Sequence, residues 1–209
     1  MTTALSTNTE TQLADLMAEC YANPLLHVMV SYPWGQGQLD GRTGPDVWQA
    51  EFLREVGSEV RKRGFTGRDA VDPLQFSTAS GHGIGKSAIT AWLIRWIMDT
   101  RPFCKGVVTA NTSEQLRTKT WAELAKWHDI SISKHWYHIN SGGGSMNMYH
   151  RDHRNTWRVD AQTSREENSE AFAGLHAASS TPFYIFDEAS AIPDKIFEVR
   201  EGGLTDGEP

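Results

Sequence analysis

One segment of the sequence has residue types and spacing that suit the binding of a phosphate chain. Residues 79–87 read ASGHGIGKS, a run in which three glycines precede a lysine and a serine. Glycines at this spacing let the backbone curl until successive N–H groups face one anion. We predict that Lys86 reaches the β and γ phosphates of ATP and that the hydroxyl of Ser87 ligates Mg²⁺. A helix that starts here adds the partial positive charge of its N-terminus.

The loop departs at one position from the usual phosphate-binding spacing, which is glycine, four residues, and then Gly-Lys-Ser or Gly-Lys-Thr. Ser80 stands where that first glycine would be. We predict that the whole loop contacts the nucleotide through Ser80, Gly81, His82, Gly83, Ile84, Gly85, Lys86 and Ser87. The alternative is a glycine-rich turn that precedes a helix and contains an incidental lysine.

Two carboxylates follow an apolar run in the last part of the sequence. Residues 183–186 read FYIF and are followed by Asp187 and Glu188. Such a continuous apolar run is typical of a fully buried central strand, and a parallel strand delivers the next residues to the carboxyl edge of the sheet. We predict that Asp187 holds Mg²⁺ and that Glu188 polarises the water that attacks the γ phosphate. The alternative is a strand that ends in a solvated acidic turn.

A glutamine ahead of the loop completes the predicted nucleotide site. Gln49 lies in the pattern Pro45-x-x-Trp48-Gln49. Its carboxamide offers both the donor and the acceptor that an adenine edge requires. The alternative is an exposed helical glutamine.

The elements that must position these groups follow from the apolar periodicity. We predict helices from Glu10, from Pro45 to near Gly64, across the apolar positions 89–97 after the loop, and from a capping box at Thr112 and Gln115. We predict strands over 74–79, with residues 76–79 ending a buried strand, over 107–110 and over 182–188, and a hairpin that pairs 146–150 with 156–160. Residues 32–44 read as a loop.

This alternation of strands and helices predicts an α/β fold, namely a P-loop NTPase with a mainly parallel central sheet flanked by helices. We assign residues 1–44 to an N-terminal arm with a helix, and residues 45–209 to the ATPase domain.

The composition excludes several classes of protein. The 209 residues carry a formal net charge of −6, so the net balance does not favour non-specific binding of nucleic acid. Any DNA contact must use local basic patches, and two are present: Arg61, Lys62, Arg63 and Arg68, then Arg151, Arg154 and Arg158 with His150 and His153. The alternative for either patch is a solvated face. Cys20 and Cys104 form no disulfide or zinc pattern, which favours a reducing cytosol.

No targeting or membrane segment is expected. Residues 1–12 contain no lysine or arginine and no long apolar stretch, unlike a signal peptide. The longest apolar segment, residues 88–98, contains Arg95 and is too short to span a bilayer. We therefore expect a soluble protein.

Several segments together resemble the ATPase part of the large terminase subunits of tailed bacteriophages. These are PDVWQAEFL at 45–53, the SGHGIGKS loop at 80–87, VVTANTSEQLRTKTWAELAKW at 107–127, EAFAGLHA at 170–177 and FYIFDEASAI at 183–192. The resemblance covers roughly residues 45–200. His82 stands where many members of that family carry an arginine.

The resemblance implies a motor that uses ATP hydrolysis to translocate double-stranded DNA into a procapsid in the host cytoplasm. It implies a ring of subunits on a portal, a small terminase subunit as partner, and a C-terminal RNase H-like nuclease. The family also uses an arginine finger, for which Arg165 and Arg158 are the candidates. Because the sequence extends only to Pro209, we expect the nuclease cluster to be absent and no DNA cleavage by this polypeptide.

Two other functions fit the same motifs. One is a helicase-type ATPase of the same fold, which single-stranded DNA would stimulate. The other is a nucleotide-binding assembly fragment without turnover. The spacings of His135 with His138 and of His150 with His153 could serve a metal, but no cysteine joins them, which disfavours zinc.

Overall fold

A computed structural model of the chain describes residues 7–64, 73–78, 85–110, 112–142, 145–163 and 181–187. The helices in these ranges are α1 (Thr7–Glu19), α2 (Pro24–Ser31), α3 (Val47–Lys62), α4 (Lys86–Thr100), α5 (Ser113–Gln115) and α6 (Ala122–Asp129). A π-helical segment (Leu116–Trp121) joins α5 to α6, and single 3₁₀ turns lie at Gly37–Leu39 and Lys134–Trp136. The strands are β1 (Lys105–Ala110), β2 (Tyr137–Asn140), β3 (Asn147–His150), β4 (Arg158–Thr163) and β5 (Pro182–Phe186).

These strands form one sheet in the order β2-β3-β4-β1-β5. Strand β1 pairs in parallel with β4 on one side and with β5 on the other, whereas β2–β3 and β3–β4 pair antiparallel. The sheet is therefore mixed, and the prediction of a mainly parallel sheet is wrong. Two consecutive short connections, after β2 and after β3, cause the difference, because a short loop can join only antiparallel neighbours. The predicted α/β class and the predicted hairpin of β3 and β4 are both confirmed.

The pairing of β1 with β5 depends on a glycine. Gly106 lies opposite Phe183, and a Cβ atom built at Gly106 would lie 2.1 Å from the ring of Phe183. The phenyl ring thus occupies the space that a side chain at 106 would need. Among the described residues β5 has only β1 as a neighbour, and Phe183 is its one buried residue. The expectation of a fully buried central strand is therefore wrong within the described sheet.

Helix α4 lies at the centre of the core. The predicted apolar stripe is confirmed, since Ile89, Trp92 and Trp96 are buried and pack with β1 and the helices around it. The helix begins at Lys86, inside the glycine-loop motif. None of the helices in the described ranges combines the length and the apolar character that crossing a membrane requires.

The strand predicted to lead into the glycine loop is not formed in the residues that the structure describes. Residues 73–78 have no strand assignment, and Gln75 through Thr78 are exposed rather than buried. The segment instead lies along α3, where the ring of Phe76 packs edge-on against Phe52 at 5.9 Å and Arg63 donates to the carbonyl of Pro73. Polar residues alternate with Leu74 and Phe76, so only one side of the segment can pack. Ala79, the last residue of the prediction, lies outside the described ranges.

The N-terminal part contains one predicted helix and one that was missed. Helix α1 confirms the periodicity that starts at Glu10. Helix α2 was not predicted, although its start carries local signals: the side chain of Asn23 accepts from the N–H of Leu26, and Pro24 occupies the first helical position. Helix α3 starts at Val47 and not at Pro45, because Asp46 is its N-cap residue.

A cluster of charged and polar side chains is buried between α2, α4 and the segment after α6. Arg95 donates to both carboxylate oxygens of Asp99, at 3.1 and 3.2 Å, and His27 and the hydroxyl of Ser133 also bond to Asp99. The charged neighbour Arg95 and these hydrogen bonds hold the pKa of Asp99 below its usual value despite its burial. Burial, and then the nearby Arg95, lower the pKa of His128 to about 3. His128 is therefore neutral near pH 7 and accepts at Nδ1 from Arg95.

We expect Gly106→Ala to destabilise the fold by about 1–3 kcal/mol, because the added methyl group overpacks the site against Phe183. In a double-mutant cycle with Phe183→Leu, the destabilisation of the double variant should be smaller than the sum of the two single destabilisations. The measurement is urea unfolding followed by circular dichroism. Gly142→Ala is the control, since a Cβ there meets nothing within 4 Å. Equal effects at the two glycines would contradict the packing argument.

We expect the free energy of unfolding to fall as the pH drops from about 6.5 toward 3. The unfolded chain protonates His128 at its ordinary pKa, whereas the folded chain does so only near pH 3, so acid favours the unfolded state. The contribution of His128 to the slope of the unfolding free energy against pH has an upper limit of about 1.4 kcal/mol per pH unit. His128→Asn, which keeps an acceptor for Arg95, should flatten the slope measured by urea unfolding between about pH 4.5 and pH 6.5, a range that lies between the folded and the ordinary pKa of His128. An unchanged slope would show that other groups carry the pH dependence.

Candidate nucleotide site

The end of the glycine loop and the start of α4 have the backbone geometry that a phosphate-binding turn needs. Gly85 is the N-cap residue of α4, with φ +88° in the left-handed region, where glycine is favoured over every other residue. Lys86 and Ser87 are the first two helical residues. Gly85 supplies no side-chain cap, and the N-terminus of this helix of 15 residues carries the partial positive charge that favours an anion.

Gln49 holds the last residue of the loop. Its Nε2 donates to the carbonyl of Gly85 at 3.1 Å, and its Oε1 accepts from the N–H of Asp46 at 2.9 Å as one half of the capping box of α3. A Cβ atom at Gly85 would lie 2.6 Å from Nε2 of Gln49. The side chain is 5% exposed, which rules out the alternative of an exposed helical glutamine. The predicted contact of Gln49 with adenine stays a prediction.

Asp187 is anchored at two points at the carboxyl end of β5. Its N–H donates to the carbonyl of Thr109 in β1 at 2.8 Å, which extends the parallel ladder by one bond. Its carboxylate accepts a hydrogen bond from the hydroxyl of Thr120 in the π-helical segment. The carboxylate is thus held beside the ends of β1 and β5.

The direction of α4 carries Lys86 toward the carboxyl edge of the parallel strands, the edge at which Asp187 lies. Near the other end of this helix, the carbonyl of Met98 accepts from Tyr137 at 2.7 Å and from Trp157 at 3.0 Å, and both donors lie where β2 and β4 begin. The C-terminal end of α4 therefore lies at the amino edge of the parallel strands. The helix then extends back for about 22 Å, toward the carboxyl edge.

Several predicted site residues lie outside the described ranges. They are Ser80, Gly81, His82, Gly83 and Ile84 of the loop, the candidate finger Arg165, and Glu188. The other candidate finger, Arg158, lies opposite Lys105 at the amino edge, roughly 13 Å along the strands from the level of Thr109. Its guanidinium bonds to Asp160, with Nε at 2.7 Å from Oδ2. This position does not favour a contact with the Asp187 of the same chain.

The two basic patches have intramolecular partners. In the first patch Arg61 donates to the carbonyl of Ala22, while Lys62 and Arg63 pair with Glu59. Arg68 lies outside the described residues. In the second patch Arg151 donates to the carbonyl of Tyr137, and the guanidinium of Arg154 lies 5.1 Å from the centre of the Tyr149 ring.

The paired histidines are held by contacts of other kinds. His135 bonds to Glu10 at 2.9 Å, and His138 packs against Tyr149. His150 stacks on Trp157 with ring centres 4.4 Å apart, and burial lowers its pKa. Within the described ranges, no three His, Cys, Asp or Glu side chains converge on a point that could hold a metal.

Sequence-based reasoning missed Thr120, whose hydroxyl donates to the carboxylate of Asp187. A signal was present: Thr120 falls four residues after Leu116 and four before Leu124, so it is a hydroxyl on the apolar face of a helical pattern. All three residues are buried. A polar residue on such a face needs a buried partner, but the sequence alone does not identify it as Asp187.

Comparison with known proteins supports a relationship to terminase large subunits. The chain is 28% identical over 130 residues to a probable terminase large subunit of Enterobacteria phage P7. The aligned stretch is 62% of this chain and 26% of the relative, so the chain spans about a quarter of the length of the relative that it matches. No family model matches the chain, and no solved structure matches it.

We expect Gly85→Ala to destabilise the protein more than Gly64→Ala does. Both glycines have positive φ, so alanine strains the backbone by about 1–2 kcal/mol in each case. Only at Gly85 would the new methyl group also collide with Gln49, whereas nothing lies within 4 Å of a Cβ at Gly64. The excess cost should disappear when Gln49→Ala is added. Thermal unfolding of Gly85→Ala, Gly64→Ala, Gln49→Ala and the Gln49→Ala/Gly85→Ala double variant checks this. An excess destabilisation that survives in the double variant would contradict the steric argument.

Proposed function

We propose that this chain is the ATPase part of a bacteriophage DNA-packaging motor. The observation that carries the proposal is that α4 ends at the amino edge of the parallel strands, which directs its first turn, after the glycine loop, toward the edge where Asp187 lies. The similarity to a terminase large subunit supports the biological role. The sequence of the loop supports a nucleoside triphosphate as the ligand.

The described residues fit Mg²⁺ and a triphosphate. The carboxylate of Asp187 accepts a hydrogen bond from Thr120, and carboxylate and hydroxyl oxygens are the ligands that Mg²⁺ prefers. Asp187 and the hydroxyl of Ser87 would hold the ion. When bound, the ion would supply positive charge that offsets the negative charge developing on the phosphates.

Three further residues would act on the nucleotide, on the loop that holds it and on the attacking water. Lys86 and the N–H groups at the start of α4 provide positive charge for the β and γ phosphates. Gln49 fixes the carbonyl of Gly85 at the start of the helix by donating to it from Nε2. Glu188 follows Asp187 directly and would orient the attacking water as a general base.

The remaining parts of the proposal concern the whole motor, of which this chain spans a part. They are the translocation of double-stranded DNA into a procapsid, a homo-oligomeric ring on the portal, a small terminase subunit as partner, and the host cytoplasm as the location. Arg165 is the proposed arginine finger, acting on the transferring phosphate. Arg158 is not assigned this role, because it lies at the amino edge of the sheet.

We expect Lys86→Ala to weaken the binding of Mg-ATP at least tenfold, because one charge-assisted contact to a phosphate contributes about 1.5–3 kcal/mol. Glu188→Gln should leave binding intact and lower phosphate release by about 100-fold or more. Binding is measured by calorimetry and turnover by phosphate release. Lys126→Ala is the matched control, since it removes the same charge from an exposed lysine of α6 that pairs with Glu123.

Each competing function predicts a different result in the same assays. Binding without turnover, unchanged in Glu188→Gln, would favour an assembly fragment. Stimulation by single-stranded DNA together with strand separation would favour a helicase-type ATPase. Equal binding by Lys86→Ala and Lys126→Ala would overturn the assignment of the loop.

A further inference from the structure

The hydrogen bond between Thr120 and Asp187 links two residues that are 67 positions apart in the sequence. Thr120 is 1% exposed, so its hydroxyl has no access to bulk water. Burying a hydroxyl without a partner costs free energy, whereas a bond to a carboxylate is among the stronger hydrogen bonds in proteins. The contact therefore holds both side chains in one arrangement.

A neighbouring threonine shows that this bond is not the default for the segment. Thr118 donates its hydroxyl to the carbonyl of Glu114, four residues earlier, at 2.7 Å. That is the usual partner of a threonine inside a helix. The hydroxyl of Thr120 instead points across to the end of β5. Thr118 thus makes a local hydrogen bond within its helix, whereas Thr120, two residues later, makes a long-range one.

Thr120 lies in the π-helical segment, where it and the next residue, Trp121, are both buried. Trp121 is fixed by its indole N–H, which donates to the carbonyl of Asn140 at 3.0 Å. Leu116, at the start of the segment, is fully buried. The segment is anchored at both ends, and π-helical turns are frequent at functional sites.

The consequence for Asp187 is a fixed carboxylate. The N–H of Asp187 is bonded to Thr109, so its backbone is held, and the bond from Thr120 to Oδ2 removes the rotation of the carboxylate about its last torsion. The other oxygen, Oδ1, is then presented in one direction. Hydrogen bonds to ligating carboxylates typically change metal affinity by about 10- to 100-fold.

We propose that Thr120 is a positioning residue that orients the carboxylate of Asp187 for the metal of the nucleotide complex. This inference rests on the proposed function, because it requires Asp187 to hold Mg²⁺. The hydroxyl of Thr120 bonds to Oδ2 of Asp187. It acts only through Asp187.

The test is the magnesium dependence of nucleotide binding. Mg²⁺ is titrated into the full chain with a non-hydrolysable ATP analogue, and binding of the analogue is also measured in EDTA. Thr120→Val keeps the shape of the side chain and removes the donor. It should raise the half-saturating Mg²⁺ concentration about tenfold or more, while binding in EDTA stays at the wild-type level. Thr120→Ser, which restores the hydroxyl, should lie within about threefold of wild type.

Thr118→Val is the matched control, since it removes a hydroxyl from the same segment without touching Asp187. It should leave the Mg²⁺ titration unchanged. A folded Thr120→Val protein with wild-type Mg²⁺ dependence would overturn the inference while leaving the proposed function intact. Should Thr120→Val fail to fold, Thr120→Ala is subject to the same criterion. A wild-type protein that binds no nucleotide in either condition would overturn the proposed function and this inference with it.

Discussion

The parallel pairing of β5 with β1 is the constraint on which the rest of the site depends. It places Phe183 over Gly106 at one point of the ladder and carries Asp187 to the carbonyl of Thr109 at its end. Because a shift of one residue in register would turn every side chain of β5 to the opposite face, the ring over the glycine also determines where the carboxylate emerges. The geometry of the acidic side chain is therefore set by a packing contact four residues upstream.

Much of the fold could be predicted from local patterns. The stripe of α4, the capped start of the helical segment at Thr112 and the β3–β4 hairpin all follow from periodicity and turn chemistry, and all are present. The candidate site was predictable in the same way where it depends on neighbours in sequence. Gly85 has the positive φ that a glycine-rich turn requires, and Asp187 follows a strand that ends beside β1.

The parts that could not be predicted are those decided by distant partners. The segment 73–78 has the composition of a strand, but it packs beside Phe52 and has no strand neighbour among the described residues. The antiparallel half of the sheet depends on connection lengths and not on the residues in the strands. The bond from Thr120 to Asp187 joins two segments whose proximity only the tertiary structure supplies. Local signals report what a segment can do, and its partners decide which of those possibilities is realised.

The link between Gln49 and Gly85 has a consequence for how homologous sequences can diverge. Any larger residue at 85 needs the carboxamide at 49 to move away. A residue without a carboxamide at 49 removes one half of the capping box at Asp46 and leaves the carbonyl of Gly85, among the described residues, with the long 3.4 Å bond from Ile89. Neither position can drift alone without loss. The pair should therefore be inherited as a single unit of variation, and glutamine at 49 should co-occur with glycine at 85 across lineages that share this loop.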